Sequence, residues 1–186
     1  TREKIDGAKI MVWDISGTSG QLTMVNEDYQ FQVFEDKLGS TDFKKMVVRA
    51  IQGKPNSASG PNPLSPKDIE LAANLAQIYA ETHIPKLFLA KGKKNVTYGI
   101  GGVLYSALKR FIKSESAERF EISQKDLLHI ITGLAGKTDQ EIGGDFPHTD
   151  TTNILLVLGY MRAMNVEKLI AINTNLTYGL FTDGDF

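Results

Sequence analysis

The chain has 186 residues, enough for one domain with a buried core, and 21 Lys and Arg side chains nearly balance 22 Asp and Glu. The near-neutral charge and the lack of a basic stripe argue against DNA as a partner, and the absence of cysteine excludes disulfides and thiolate chemistry. Because no run of about 18 apolar residues and no signal-peptide pattern occurs, we expect no membrane association and a cytoplasmic location.

Three short strands are predicted first, at about 9–14, 21–26 and 29–34. The third alternates with a period of two, which places Tyr29, Phe31 and Val33 on one face. Ser40 is a suitable N-cap for a helix that runs to about residue 51. The opening of the chain is therefore an antiparallel meander followed by a helix.

The most informative segment is the turn between the first two strands, residues 14–21, with the sequence Asp-Ile-Ser-Gly-Thr-Ser-Gly-Gln. Small side chains let a ligand approach the backbone, and consecutive N–H groups in such a turn can form an anion-binding concavity. Asp14, at the end of the first strand, is then the predicted ligand of a divalent cation beside that anion. The predicted phosphate-binding residues of the turn are Ser16, Gly17, Thr18, Ser19 and Gly20. A hairpin without a ligand is the alternative.

The later elements alternate in type. Residues 53–66 predict an exposed loop, and Ser65 followed by Pro66 predicts the start of a helix that Pro85 ends. A short buried strand is predicted at 86–90, followed by a basic cluster at 91–94 that we expect on the phosphate-binding side. This cluster could steer a polyanion, and a solvated loop is the favoured alternative. Further helices are predicted at about 103–112, 123–134 and 149–164, then a buried strand at 169–172 and a loop at 173–179.

Gly101 and Gly102 precede one of these helices and are further candidates for phosphate binding, since a helix N-terminus presents unpaired N–H groups to an anion. Two glycines that make a tight strand-to-helix turn are the alternative. The three histidines are scattered and lack ligand spacing, so we expect no histidine metal site.

The order of these elements predicts an α/β domain over residues 1–186, with a mixed sheet of about five strands flanked by helices. It is similar to the half-domain of the ribonuclease H-like fold found in actin-like ATPases. Sugar kinases and chaperone ATPases share that fold, so the fold alone selects no reaction.

The chain resembles the exopolyphosphatase and guanosine pentaphosphate phosphatase family, specifically its second actin-like domain, in five ordered landmarks. Residues 14–21 stand where the family has Asp-Ile-Gly-Gly-Gly-Ser-Thr-Glu, and 38–40 match its Leu-Gly-Ser. Residues 99–103 occupy the place of a Gly-Gly-Thr loop, and 122–134 resemble the Leu-rich segment after it. Residues 173–180 stand where the family has Asp-x-Gly-Leu-Arg-Glu-Gly-Leu.

The resemblance implies hydrolysis of a terminal phosphoanhydride in inorganic polyphosphate or a guanosine alarmone, with Mg²⁺ as the cofactor. It also implies an actin-like domain upstream of Thr1 that supplies a carboxylate base, so we expect the isolated chain to be inactive. Positioning and charge stabilisation dominate phosphoryl transfer, and amides and a metal can supply both. A second copy of the chain, in a homodimer, is a further candidate partner.

Several departures from the family pattern keep a second hypothesis open. Gln21 stands at a family Glu position, and its amide can neither act as a base nor neutralise a cation. Side chains replace glycine at Ser16 and Thr18, and Val103 replaces a threonine hydroxyl. Charged family residues are replaced at Asn173, Thr177 and Tyr178. The alternative is therefore a catalytically degenerate relative that binds polyphosphate or a nucleotide, or that packs against another protein.

Overall fold

The computed structural model describes residues 9–26, 28–55, 60–114 and 116–174, and these form one mixed sheet of six strands in the order β3-β2-β1-β4-β6-β5. Strand β1 is parallel to β4, and β4 is parallel to β6. The pairs β1–β2, β2–β3 and β5–β6 are antiparallel. The strands are β1 (Ile10–Ile15), β2 (Gly20–Val25), β3 (Phe31–Asp36), β4 (Val96–Ile100), β5 (Arg119–Ser123) and β6 (Lys168–Ile172).

Six α-helices and two π-helical segments occur in the described part of the chain. The α-helices are α1 (Ser40–Met46), α2 (Pro66–His83), α3 (Lys86–Lys91), α4 (Gln124–Leu134), α5 (Asp139–Ile142) and α6 (Pro147–Ala163). The π-helical segment Val47–Ile51 continues α1, and Gly102–Ala107 follows β4. None of the helices in these ranges is long and apolar enough to cross a membrane. The predicted α/β architecture with a mixed sheet is confirmed.

Helix α6 lies at the centre of the helical layer. Of its 17 residues 13 are buried, which explains why its sequence is apolar on all sides rather than striped. On the sheet side, the Trp13 ring of β1 stacks on Tyr160, with ring centroids 5.6 Å apart. On the α2 side, Gly159 lets the two helix backbones meet, because a Cβ there would lie 2.7 Å from the backbone nitrogen of Gln77.

The two faces of the sheet have different surroundings. Trp13 and Leu22 belong to the buried core, and the residues that alternate with them are more accessible. On β3, Phe31 and Val33 share a face as predicted, but they are 75% and 52% exposed, while Phe34 packs against the core. The helices therefore cover the face of β3 that carries Phe34, and the apolar face predicted from the alternation faces away from them.

Two predicted helix starts are confirmed by capping boxes. The Ser65 and Ser123 side chains each accept a hydrogen bond from the backbone N–H three residues later, in α2 and α4. In return, the Asp68 and Asp126 carboxylates accept from the serine N–H groups, at 3.0 and 2.9 Å. The hydrogen bonds with Ser123 lower the pKa of the Asp126 carboxyl below its ordinary value.

The strand predicted at 86–90 is wrong, because this segment forms helix α3. Its Lys, Leu and Ala residues are good helix formers, and a run this short has no decisive period. The strand lies further on, at Val96–Ile100, where Val, Thr and Tyr favour extended backbone. Strand β5 was not predicted, although Phe120 and Ile122 are buried between exposed neighbours. The sheet therefore has six strands rather than about five.

The basic cluster at 91–94 is also placed differently from the prediction. Lys93 lines a shallow depression with Asn165 and Lys168. Because β4 and β6 begin beside it, this depression lies at the amino ends of the parallel strands. The turn after β1 lies at their carboxyl ends, so this cluster does not face the predicted phosphate side.

Candidate functional site

The hairpin turn between β1 and β2 rests on the N-terminus of α1. The carbonyl oxygens of Ser16 and Gly17 accept hydrogen bonds from the N–H groups of Ser40, at 2.9 Å, and Thr41, at 2.7 Å. These donors belong to the first turn of the helix, where N–H groups have no intrahelical partner. The helix start thus fixes the position of the turn through backbone atoms alone.

Gly39 makes this contact possible. A Cβ at this position would lie 2.5 Å from the backbone nitrogen of Ser19 and 2.6 Å from the carbonyl carbon of Gly17. Both atoms belong to the backbone, so neither can rotate away. The Leu-Gly-Ser landmark at 38–40 therefore has a structural role, which is to bring the turn and the helix together.

The turn closes through its own serines and leaves backbone donors at its tip. The hydroxyl groups of Ser16 and Ser19 are hydrogen-bonded at 2.9 Å, and the Ser16 N–H donates to the Ser19 carbonyl at 2.8 Å. Within the described ranges, the N–H groups of Gly17, Thr18 and Ser19 have no acceptor, and these residues are exposed. Three consecutive unpaired N–H groups can form an anion-binding concavity. Gly20 instead belongs to β2 and pairs with Ile15.

Asp14 and Gly101, far apart in the sequence, are in contact. The Asp14 carboxyl is half-buried, which raises its pKa above the ordinary value, although a hydrogen bond from the Ile15 N–H acts in the opposite direction. Gly101 has a φ of +81°, and a side chain there would clash with the Asp14 carboxylate. Among the described residues, no lysine or arginine forms an ion pair with Asp14. The carboxylate is thus held without a cationic side chain.

Strand register places two more polar side chains in a row with Asp14. Gln21 of β2 is its direct partner, and Glu35 of β3 is the direct partner of Gln21. Directly opposite residues project from one face with Cβ atoms about 5 Å apart, so the three side chains form a row. Glu35 was not among the predicted site residues. Two signals in the sequence could have located Glu35: the alternation along β3, and the tight turn between β2 and β3, which sets the register of the two strands.

The two predicted glycines have different surroundings. The Gly101 N–H donates to the Thr174 carbonyl at 2.9 Å, so this donor is engaged by the start of the last landmark. Gly102 begins the π-helical segment and lines a cleft. The rest of that landmark, 175–180, lies outside the described residues, and with it Thr177 and Tyr178.

The cleft has a volume of about 680 Å³ and lies on the helix side of the turn. Ser16 and Gly17 form one part of its lining, and the buried Ser40 and Asn153 form another. The Ser40 hydroxyl donates to the Asn153 side-chain oxygen. The carboxyl ends of adjacent parallel strands are the usual place for ligands in open α/β sheets. Asp14 does not line this cleft, because its side chain projects from the opposite face.

Arg110 is the basic residue among the described residues that line the cleft, and both terminal nitrogens of its guanidinium form hydrogen bonds. It pairs with Asp150 of α6 and donates to the carbonyls of Ile142, at 2.9 Å, and Gly143, at 2.7 Å. Burial raises the pKa of the Asp150 carboxyl, and the nearby Arg110 lowers it, with burial the larger effect. No local pattern predicts this pair, because its two residues are separated by 40 positions in the sequence.

No known protein-family model and no curated protein matches this chain. Its structure is similar to the Aquifex aeolicus Ppx/GppA phosphatase, with a TM-score of 0.68 and 11% identity over 96% of this chain and 57% of that one. It is also similar to an exopolyphosphatase from Cytophaga hutchinsonii, with a TM-score of 0.65 and 13% identity over 97% and 58% of the two chains.

An exopolyphosphatase-like protein gives a TM-score of 0.65 at 15% identity, over 98% of this chain and 61% of that one. The chain thus spans roughly three fifths of the length of these proteins. At such low identity the similarity concerns the fold. The resemblance read from the five landmarks is confirmed at that level: this chain has the fold of one part of the Ppx/GppA exopolyphosphatases.

Proposed function

We propose that the chain forms one side of the active site of a Mg²⁺-dependent phosphoanhydride hydrolase that acts on inorganic polyphosphate or guanosine pentaphosphate. The observation that carries the proposal is the turn, whose N–H groups at Gly17, Thr18 and Ser19 lack acceptors and lie next to the strand end that bears Asp14. Donors fixed in advance stabilise phosphate charge without reorganisation. An actin-like domain of the same protein would form the other side and supply the base.

The residues around Asp14 fit a magnesium ion that keeps most of its water. Mg²⁺ prefers oxygen ligands and is commonly held by one or two carboxylates together with substrate phosphates. Asp14 supplies one carboxylate that forms no ion pair within the described residues, and Gln21 is its direct partner on the neighbouring strand. No cluster of three His, Asp or Glu residues suited to a metal occurs in the described ranges. When bound, the ion would offset phosphate charge, while the turn orients the phosphate.

A second candidate function is phosphate or nucleotide binding without turnover. Gln21, the direct neighbour of Asp14, favours it, because a glutamate at this position would add a negative charge that an amide does not provide. A binding protein needs the donors of the turn and the cation site, whereas a hydrolase also needs a group to activate water. Replacing Gln21→Glu in a protein that carries both proposed domains separates the two: a gain in phosphate release would indicate a single lost group.

Titration calorimetry with tripolyphosphate in the presence of Mg²⁺ tests the proposal. We expect saturable binding that depends on Mg²⁺ and is lost in Asp14→Asn, which keeps the size of the side chain but removes its charge. Asp42→Asn is the matched control, because Asp42 is an accessible carboxylate on α1 that pairs with Lys45. Equal Mg²⁺-dependent binding by the wild type and Asp14→Asn would contradict the proposal.

A further inference from the structure

A second cavity, separate from the turn and its cleft, lies among α2, α4 and α6 and has a volume of about 240 Å³. Ile69, Ala73 and Leu158 form its floor, with exposures of 8%, 3% and 1%. Leu128 of α4 also lines it and is 46% exposed, which marks the open side. An apolar cavity of about 150 Å³ in another protein already binds benzene. This cavity therefore has room for an apolar group of isobutyl to benzyl size.

Two opposite charges line the same cavity, Glu70 from α2 and Arg162 from α6. They are not paired with each other, and in the part of the chain that the structure describes neither side chain has an ion pair or hydrogen bond. A ligand with only a carboxylate would be attracted by Arg162 and repelled by Glu70, and a simple amine would experience the reverse. A small molecule that carries both charges complements both side chains.

We propose that this cavity binds a free apolar α-amino acid of leucine to phenylalanine size. Its carboxylate would face Arg162, its ammonium group would face Glu70, and its side chain would fill the space between the three helices. Charge-assisted hydrogen bonds to both ends fix the orientation, and burial of the apolar side chain supplies affinity.

A purely structural role for Arg162 makes different predictions. Arg162 lies in the last turn of α6, where a cation interacts favourably with the helix dipole. An arginine that only stabilises the helix dipole would require neither a cavity beside it nor an unpaired glutamate on the neighbouring helix. If this were its only role, Arg162→Met would change the stability of the protein, and no amino acid would bind.

The test is titration calorimetry on the 186-residue chain with L-leucine and L-phenylalanine, without Mg²⁺ or phosphate. We expect saturable 1:1 binding by at least one of them. N-acetyl-L-leucine lacks the ammonium group and L-leucinamide lacks the carboxylate, so each should bind about tenfold more weakly or worse. No saturable binding of either amino acid, or blocked compounds that bind as tightly as free L-leucine, would overturn the proposal.

Variants separate the contribution of each side chain. Arg162→Met and Glu70→Gln should each weaken binding about tenfold, whereas the control Arg49→Met, on the π-helical segment after α1, should not change it. Ala135→Phe should fill the cavity and abolish binding, and if it fails to fold, the two charge variants decide. Unchanged affinity in Arg162→Met would refute the assignment. Because no phosphate is involved, failure here leaves the proposed hydrolase function standing, and the reverse also holds.

Discussion

Replacing Gly39→Ala directly tests the contact that positions the turn. The backbone at Gly39 has a φ of −114°, which any residue can adopt, so the cost of alanine comes from contact rather than from backbone conformation. The new Cβ would lie 2.5 Å from the nitrogen of Ser19 and 2.6 Å from the carbonyl carbon of Gly17. To restore ordinary van der Waals separation, the turn must move away from α1 by about 1 Å.

The expected loss of stability follows from the contacts that this movement breaks. The hydrogen bonds from Ser40 to Ser16 and from Thr41 to Gly17 are 2.9 and 2.7 Å long and would both be lost. Each contributes about 1 kcal/mol, and overpacking at the contact adds about 1–3 kcal/mol. We therefore expect the free energy of unfolding to fall by roughly 3–5 kcal/mol.

Urea denaturation followed by circular dichroism measures this loss. The control is Gly133→Ala, because Gly133 lies in α4 with nothing within 4 Å of a new Cβ, and alanine should stabilise the helix by about 0.5–1 kcal/mol. If Gly39→Ala stays within about 1 kcal/mol of the wild type and the amide chemical shifts of Gly17 and Thr18 do not change, Gly39 does not hold the turn against α1.

Three further predictions concern packing and ionisation. Gly159→Ala should lower the thermal midpoint and cost about 3 kcal/mol, because the new Cβ would force α2 and α6 apart. Burial raises the pKa of the Asp14 carboxyl, so the folded protein binds this proton more tightly than the unfolded chain does. The stabilisation that results is fully present below pH 3.8 and is lost as the pH rises through the higher pKa of the folded protein. Asp14→Asn should therefore be more stable than the wild type at pH 7 in urea denaturation without metal, and equally stable at pH 3. Burial and a hydrogen-bonded carboxylate raise the pKa of Tyr79 to about 12, and that of Tyr160 upward as well. Stability from Tyr79 is present below pH 10 and is lost as the pH rises through 12, and absorbance at 295 nm should increase on unfolding at pH 11 because both tyrosines ionise more readily in the unfolded chain.

Features set by neighbouring residues could be predicted from the sequence. Ser65 followed by Pro66, and Ser123 with an aspartate three residues later, specify helix starts through local hydrogen bonds, and the structure contains both. The long apolar segment that became α6 was recognisable because no loop could expose so many apolar side chains. The contact between Asp14 and Gly101, by contrast, was not predicted, because it depends on the parallel pairing of β1 and β4.

Features set by distant pairing could not be predicted. Arg110 and Asp150 meet because a segment after β4 and the start of α6 line the same cleft. The face of β3 that packs on the helices depends on its register with β2, and alternation alone predicts two faces without saying which is covered. A short apolar run such as 86–90 fits a helix or a strand equally well until its neighbours are known.

The departures at the turn affect backbone and side-chain functions unequally. Ser16 and Thr18 replace glycines of the family pattern, yet the N–H donors at the tip belong to the backbone and have no acceptor within the described residues, so these changes leave the donors of the proposed anion site in place. The change at Gln21 removes a side-chain charge that no backbone group can replace. Glu35 lies one strand further, about 10 Å from Asp14 across two strand spacings, too far to substitute at the same phosphate. If the proposed function holds, these departures should therefore affect turnover more than phosphate binding.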